Sequence, residues 1–190
     1  MPLMPVMLVN PSARLSVVTS LSGLNSDGAE YIYNIATGPA GVPADGAFWH
    51  VKYIGAISKW VVLGGTMLVA MPGGSATAAG AAYATVAGTP TIAIPLNGTY
   101  DVWFGFEQAS GNDTDIRASP DGAGTTSNDQ WSAWGGQQAG GTTGNNNSPA
   151  AAMSFALTAG TLGWKVKRTQ ANNGVALNPW MVVNPKFVTA

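Results

Sequence analysis

Between residues 151 and 188, large side chains recur at every second position. Met153, Phe155 and Leu157 alternate with Ala152, Ser154 and Ala156. Trp164 and Val166 alternate with Lys165 and Lys167. After a polar turn, residues 178–188 run almost to the end of the chain. A two-residue period sends successive side chains to opposite faces of a strand, whereas a helix requires a period of 3.6. Three such strands at the close of a chain predict a C-terminal strand tucked into the centre of a β-sandwich.

The same period appears upstream. Trp49, Val51 and Tyr53 alternate with His50 and Lys52. Ile92, Ile94 and Leu96 alternate with Thr91, Ala93 and Pro95. Tyr100, Val102, Phe104 and Phe106 alternate with Asp101, Trp103 and Glu107. Each set places bulk on one face and small or polar groups on the other. Turn residues separate the runs: Gly64-Gly65, Pro72-Gly73-Gly74, and Asn97-Gly98, which reads as a hairpin turn. Pro95, lacking an N–H, belongs on an edge strand or at a strand end. Many short strands with Gly and Pro between them predict an all-β fold, a jelly roll or sandwich.

Two regions leave the pattern. Residues 1–46 contain predicted strands at 13–21 and 29–36, broken by Gly- and Pro-rich turns. They read as an N-terminal arm or as extra strands, and as an anchor for a larger particle. Residues 47–190 form the sandwich domain. Within it, residues 119–150 form a long loop rich in Gly, Ser, Thr and Asn, and loops of that length are usually functional or disordered. Trp131, Trp134, Gln137 and Gln138 interrupt that tract. Aromatic residues in polar loops serve carbohydrate contacts and protein interfaces, or the loop folds back and packs them on its own subunit; on the first reading these four are candidate ligand or interface residues. Trp103 joins them, because it lies opposite Tyr100 and Phe104 on its strand. Trp49, Trp164 and Trp180 fit the core pattern.

Charge is scarce. Only 9% of the 190 residues are Asp, Glu, Lys or Arg, and the net charge is −1, against roughly 25% charged residues in ordinary soluble domains. No basic field exists to hold nucleic acid or an anionic membrane. A surface covered by Gly, Ser, Thr, Asn and Ala suits a protein whose exterior is buried in an oligomer or lattice. There are no cysteines, which excludes disulfides and thiolate chemistry. Residues 1–11 are apolar but broken by proline and lack a basic lead, so they do not read as a secretion signal. The longest strongly apolar stretch, residues 60–71, is too short to span a bilayer.

No catalytic constellation emerges. His50 is the sole histidine and lies beside Lys52, with no nucleophile patterned around it. Asn112, Asp113 and Asp115 resemble the start of a calcium loop, but the further ligands and distal Glu are missing. Asp101 and Glu107 stand six residues apart on one strand, about 20 Å, beyond the ~5–10 Å of a glycosidase pair. No metal, cofactor or enzymatic activity is expected.

The residues also carry a resemblance. Residues 92–106 give a strand, Asn97-Gly98 and an aromatic strand led by Tyr100. Residues 157–167 place Ala159-Gly160 before a strand, and residues 178–188 form a terminal strand. This order resembles the trimeric jelly-roll heads, shaped like tumour-necrosis-factor and C1q domains, of phage virion structural proteins. The resemblance implies a homotrimer, made in the host cytoplasm and carried in the virion. Its partners would be copies of itself and the major capsid protein or another virion protein. With no collagen-like repeat, heptad stalk or β-helical shaft, the chain is nearly all head, which favours a capsid decoration or cement protein. The alternative is the receptor- or glycan-binding tip of a head or tail fibre, meeting a host surface glycan.

Overall fold

The computed structural model describes residues 15–35, 47–108, 116–135, 146–147, 153–168 and 174–190. The alternating sequence becomes strand throughout. In chain order these are β1 (Val17–Val18), β2 (Glu30–Asn34), β3 (Phe48–Ile54), β4 (Lys59–Gly65), β5 (Leu68–Ala70), β6 (Ser75–Ala78), β7 (Ile92–Ile94), β8 (Asn97–Gln108), β9 (Ile116–Gly122), β10 (Ala133–Gly135), β11 (Asn146–Asn147), β12 (Met153–Leu157), β13 (Gly160–Arg168) and β14 (Gly174–Thr189). Among the described residues the only helical pieces are single 3-10 turns at Gly55–Ile57 and Asp129–Trp131. No helix there is long and apolar enough to cross a membrane.

The strands form two sheets. The nine-stranded sheet runs β1-β2-β3-β4-β14-β8-β12, and β5 and β6 also pair with β14; the five-stranded sheet runs β11-β10-β9-β13-β7. β14, 16 residues long, is the spine of the larger sheet. β8 lies along one side of it. The other side carries β6, β5 and β4 in succession, through Leu177↔Ser75, Val182↔Val69 and Val188↔Trp60. The C-terminal strand is thus central, as its alternation predicts.

The two sheets pack face to face, giving the all-β sandwich of the jelly-roll kind that the sequence predicts. Trp164 of β13 meets Phe104 and Phe106 of β8 across the interior, with ring centroids 6.3 and 5.9 Å apart. Each such aromatic contact adds about 0.5–1.5 kcal/mol beyond simple burial. Trp49, Tyr100, Phe104, Trp164 and Met181 are all buried. From residues 15–35, β1 and β2 extend the larger sheet, and Leu21, Tyr33 and Ile35 enter the core.

Three expectations are corrected. Asn97-Gly98 is no hairpin turn, because β7 and β8 lie in different sheets and the chain crosses the sandwich between them. The two residues open β8 instead. Gly98 lets the backbone of β14 come close, since a Cβ there would sit 2.1 Å from the Phe187 carbonyl oxygen. Asn97 Oδ1 accepts a hydrogen bond from the Ala159 N–H at 2.8 Å. Pro95 follows the edge strand β7, where its missing N–H costs nothing.

Residues 119–150 are likewise not one loop. They begin inside β9 and include the 3-10 turn, β10 and β11. Polar residues hide β9 from a hydrophobic reading. Ser119 is fully buried, yet its hydroxyl donates to the Asn128 carbonyl at 2.9 Å and accepts from the Asn128 N–H at 3.1 Å. Paired in this way, a buried hydroxyl avoids the desolvation penalty that would otherwise expel it from a core. The third correction concerns Trp180, which is not a core residue.

Candidate functional site

Trp180 leaves the core because β14 changes face. Ala176 is buried, but the register against β8 shifts between Leu177 and Trp180. Asn178 takes up the extra residue with φ +46°, a left-handed conformation that Asn tolerates better than most residues. Its side-chain amide donates to Glu107 Oε2 at 3.2 Å, and its N–H bonds the Gly74 carbonyl at 2.9 Å. Beyond the bulge, Met181 and Val183 are 0% exposed, and Trp180 and Val182 move to the outer row. A proline inside a central strand was the available signal. Pro179 cannot donate to the ladder, so a bulge belongs there.

The outer row of β14 meets apolar neighbours on both sides. Val182 pairs with Val69 of β5 and with Trp103 of β8, and Trp180 pairs with Gly105, which has no side chain to fill the space. Met67, Trp103, Trp180 and Val182 line an open hollow of about 380 Å³. Around it Met67 is 54%, Val69 52% and Met71 71% exposed. Polar pairs close both ends. Asp101 bonds the Ser154 hydroxyl and lies 3.5 Å from Lys186, and Glu107 holds Asn178. Two indole rings, a thioether and a valine lie inside and polar pairs outside, and protein interfaces generally share that layout, with aromatic anchors inside a polar rim.

The outer face of the five-stranded sheet is built differently. Arg117, Lys165 and Lys167 alternate there with the buried Ile116, Ala118, Trp164 and Val166. Asp129 gathers Lys167 at 2.8 Å, Arg117 at 3.3 Å and the Tyr83 hydroxyl at 3.1 Å, and Lys167 lies 4.7 Å from the centre of the Tyr83 ring. The hydrogen bond from Lys167 holds the Asp129 carboxyl below its ordinary range. Partial burial raises the Asp121 carboxyl. Hydrogen bonds from Lys165 and Ser127 outweigh it, and the net shift is downward. Desolvation pushes the Tyr83 hydroxyl up to about 12.

The residues singled out from sequence do not converge. Trp103 stands in the apolar hollow. Trp131 is half-buried and meets Phe155 edge-on at 5.2 Å. Trp134 lies on β10, its backbone between Arg117 and Asn147. Gln137, Gln138, Asn112, Asp113 and Asp115 lie outside the described residues. His50 Nε2 lies 3.1 Å from Glu30, which also pairs with Lys52 at 3.0 Å. Hydrogen bonds from Lys52 and then His50 hold the Glu30 carboxyl below its usual range. Asp101 and Glu107 are each engaged by a different partner, as described above. Among the described residues no three His, Asp or Glu side chains cluster to hold a metal ion.

Fold and surface together define an all-β sandwich with one apolar and one charged outer face. No family model matches the sequence, and no curated protein does. Among solved structures the chain is similar to Eiger TNF from S. frugiperda. The identity is 14%, the match covers 65% of this chain and 95% of that one, and the TM-score is 0.42.

Proposed function

We propose that the protein is a non-catalytic structural component of a phage virion. It acts as a capsid decoration protein that assembles as a homotrimer through the outer face of its nine-stranded sheet. One observation carries the assembly reading: the apolar hollow of Met67, Trp103, Trp180 and Val182, mid-sheet and open to solvent. Covering apolar surface is favourable by about 25 cal/mol per Å², and tryptophan is the residue most enriched among interface hot spots. A chain with only 9% charged residues has little else to keep such a face apart from its neighbours. The virion assignment rests on the resemblance of residues 92–106, 157–167 and 178–188 to phage head domains.

In this reading the mechanism is clamping. Three linked copies present three weak contacts to neighbouring capsid subunits, and the second and third contacts form at high effective concentration. The test is co-sedimentation of the purified protein with capsids lacking it, followed by heating. The expected result is a fixed copy number per capsid and slower rupture. Binding to host cells, with capsid stability unchanged, would replace this reading with the fibre-tip one.

A further inference from the structure

The five-stranded sheet carries a second hollow, chemically unlike the first. It opens where Gly163 of β13 pairs with Asp121 of β9. The neighbours of Gly163 on that row are Thr161 and Lys165, so one side-chain place stands empty in a polar row. Thr85, Thr89, Thr91, Thr161 and Asp121 wall a notch of about 210 Å³ around it.

We propose that this notch is a binding site for a single saccharide unit, held by hydrogen bonds from the threonine hydroxyls and the Asp121 carboxylate. A threonine hydroxyl offers one donor and two acceptor positions, the complement of a sugar hydroxyl. Thr85, Thr91 and Thr161 are exposed, and their hydroxyls have no hydrogen-bond partner among the described residues. Thr89 spends its proton on the Val86 carbonyl at 3.0 Å and keeps its lone pairs. Asp121 is ionised and held in place, one oxygen by Lys165 at 2.9 Å and the other by the N–H and hydroxyl of Ser127 at 3.1 Å. Oδ1 spends both lone pairs on Ser127, and Oδ2, bonded only to Lys165, retains one for a ligand hydroxyl.

Charge and size narrow the ligand class. Lys165 is committed to Asp121, so among the described residues the notch has no spare cation to hold a phosphate or carboxylate. The volume falls below the ~300–1,000 Å³ of sites for drug-sized molecules, which suits one pyranose ring. Thr161 and Asp121 sit on paired strands, so their spacing is set before any ligand arrives. This inference is independent of the assembly reading, since the notch and the apolar hollow lie on different sheets.

The test is an NMR titration of the full chain with the methyl glycosides of glucose, galactose, mannose and N-acetylglucosamine, with sodium phosphate as the anionic control. We expect at least one glycoside to saturate shifts at Thr85, Thr91, Thr161 and Gly163. Gly163→Ala should weaken that binding by about tenfold or more. Its Cβ would meet nothing nearer than Thr91 Cγ2 at 3.4 Å, so the variant keeps its fold and its melting temperature. Thr161→Val, an isostere without the hydroxyl, should weaken binding as well. The variant Trp103→Ala/Trp180→Ala should bind as the parent does, which separates this inference from self-assembly. No saturation with any of the four glycosides, undiminished binding in Gly163→Ala, or binding of phosphate instead would each overturn the proposal.

Discussion

Trp103 and Lys167 occupy comparable places, each on the outward row of a long strand. Trp103 stands in an apolar hollow beside Trp180, Val182 and Met67. Lys167 stands in a web with Asp129, Arg117 and Tyr83. The difference lies in what already covers each strand. Over the five-stranded sheet the chain supplies its own cover: Asn128 on Ser119, Asp129 on Lys167 and Arg117, and Ser127 on Asp121. Over β5, β14 and β8, the described residues leave Trp103 and Val182 half-buried beside an open apolar hollow. On one face polar pairs from the same chain engage most of the outward side chains, and the other is the face through which we propose that the protein assembles.

The contrast breaks most completely if the shared core fails. Trp164→Ala removes the ring that Phe104 and Phe106 pack against, and a large-to-small change of this kind costs about 3–5 kcal/mol. Urea denaturation should show that loss, and both outer faces should lose their order together. A cost below about 1 kcal/mol would mean that the two sheets do not depend on this contact.

Next in size is the apolar face alone. Trp103→Ala with Trp180→Ala should weaken self-association by about 2–4 kcal/mol for each ring that acts as a hot spot. Because association stabilises the folded chain by mass action, the parent's melting temperature should rise with protein concentration. The double variant's should not. The bulge at Asn178 sharpens the same point. Asn178→Val places a β-branched residue at φ +46°, costing about 1–2 kcal/mol, and should weaken association by turning Trp180 away. Asn178→Gly should leave both properties nearly unchanged.

The smallest effect is on the charged face. The Asp129 carboxyl is depressed in the folded chain, so its contribution is complete above the unfolded value near pH 4. It is lost as pH falls through the lower folded value. Asp129 is 55% exposed at its side chain, so Asp129→Asn should cost no more than about 1 kcal/mol at neutral pH. Its clearer signature is a shallower loss of stability on acidification, read by denaturation at a series of acid pH values.

These regions were unequally legible in the amino-acid sequence. Tyr100-Val102-Phe104-Phe106 and Trp164-Val166 announce themselves, because an unbroken alternation is a local property and burial follows from it. Trp180 does not, because the bulge at Asn178 inverts the alternation between Ala176 and Met181. The hollow joins Met67, Trp103 and Trp180, whose meeting depends on how β5 and β8 register on β14, and no local pattern encodes that register. Asn97-Gly98 misleads for a related reason: its turn chemistry is overridden by the pairing of β8 with β14. The notch is subtler still, since its centre is the missing side chain of Gly163.

The most direct test is the mass of the intact protein in solution, measured by sedimentation equilibrium alongside the Trp103→Ala/Trp180→Ala variant. We predict three times the 19.4 kDa of the chain for the parent and the single-chain mass for the variant. A parent that stays at the single-chain mass at concentrations of about 10 µM and above, or a variant that assembles as fully as the parent, would contradict the claim that this face drives assembly.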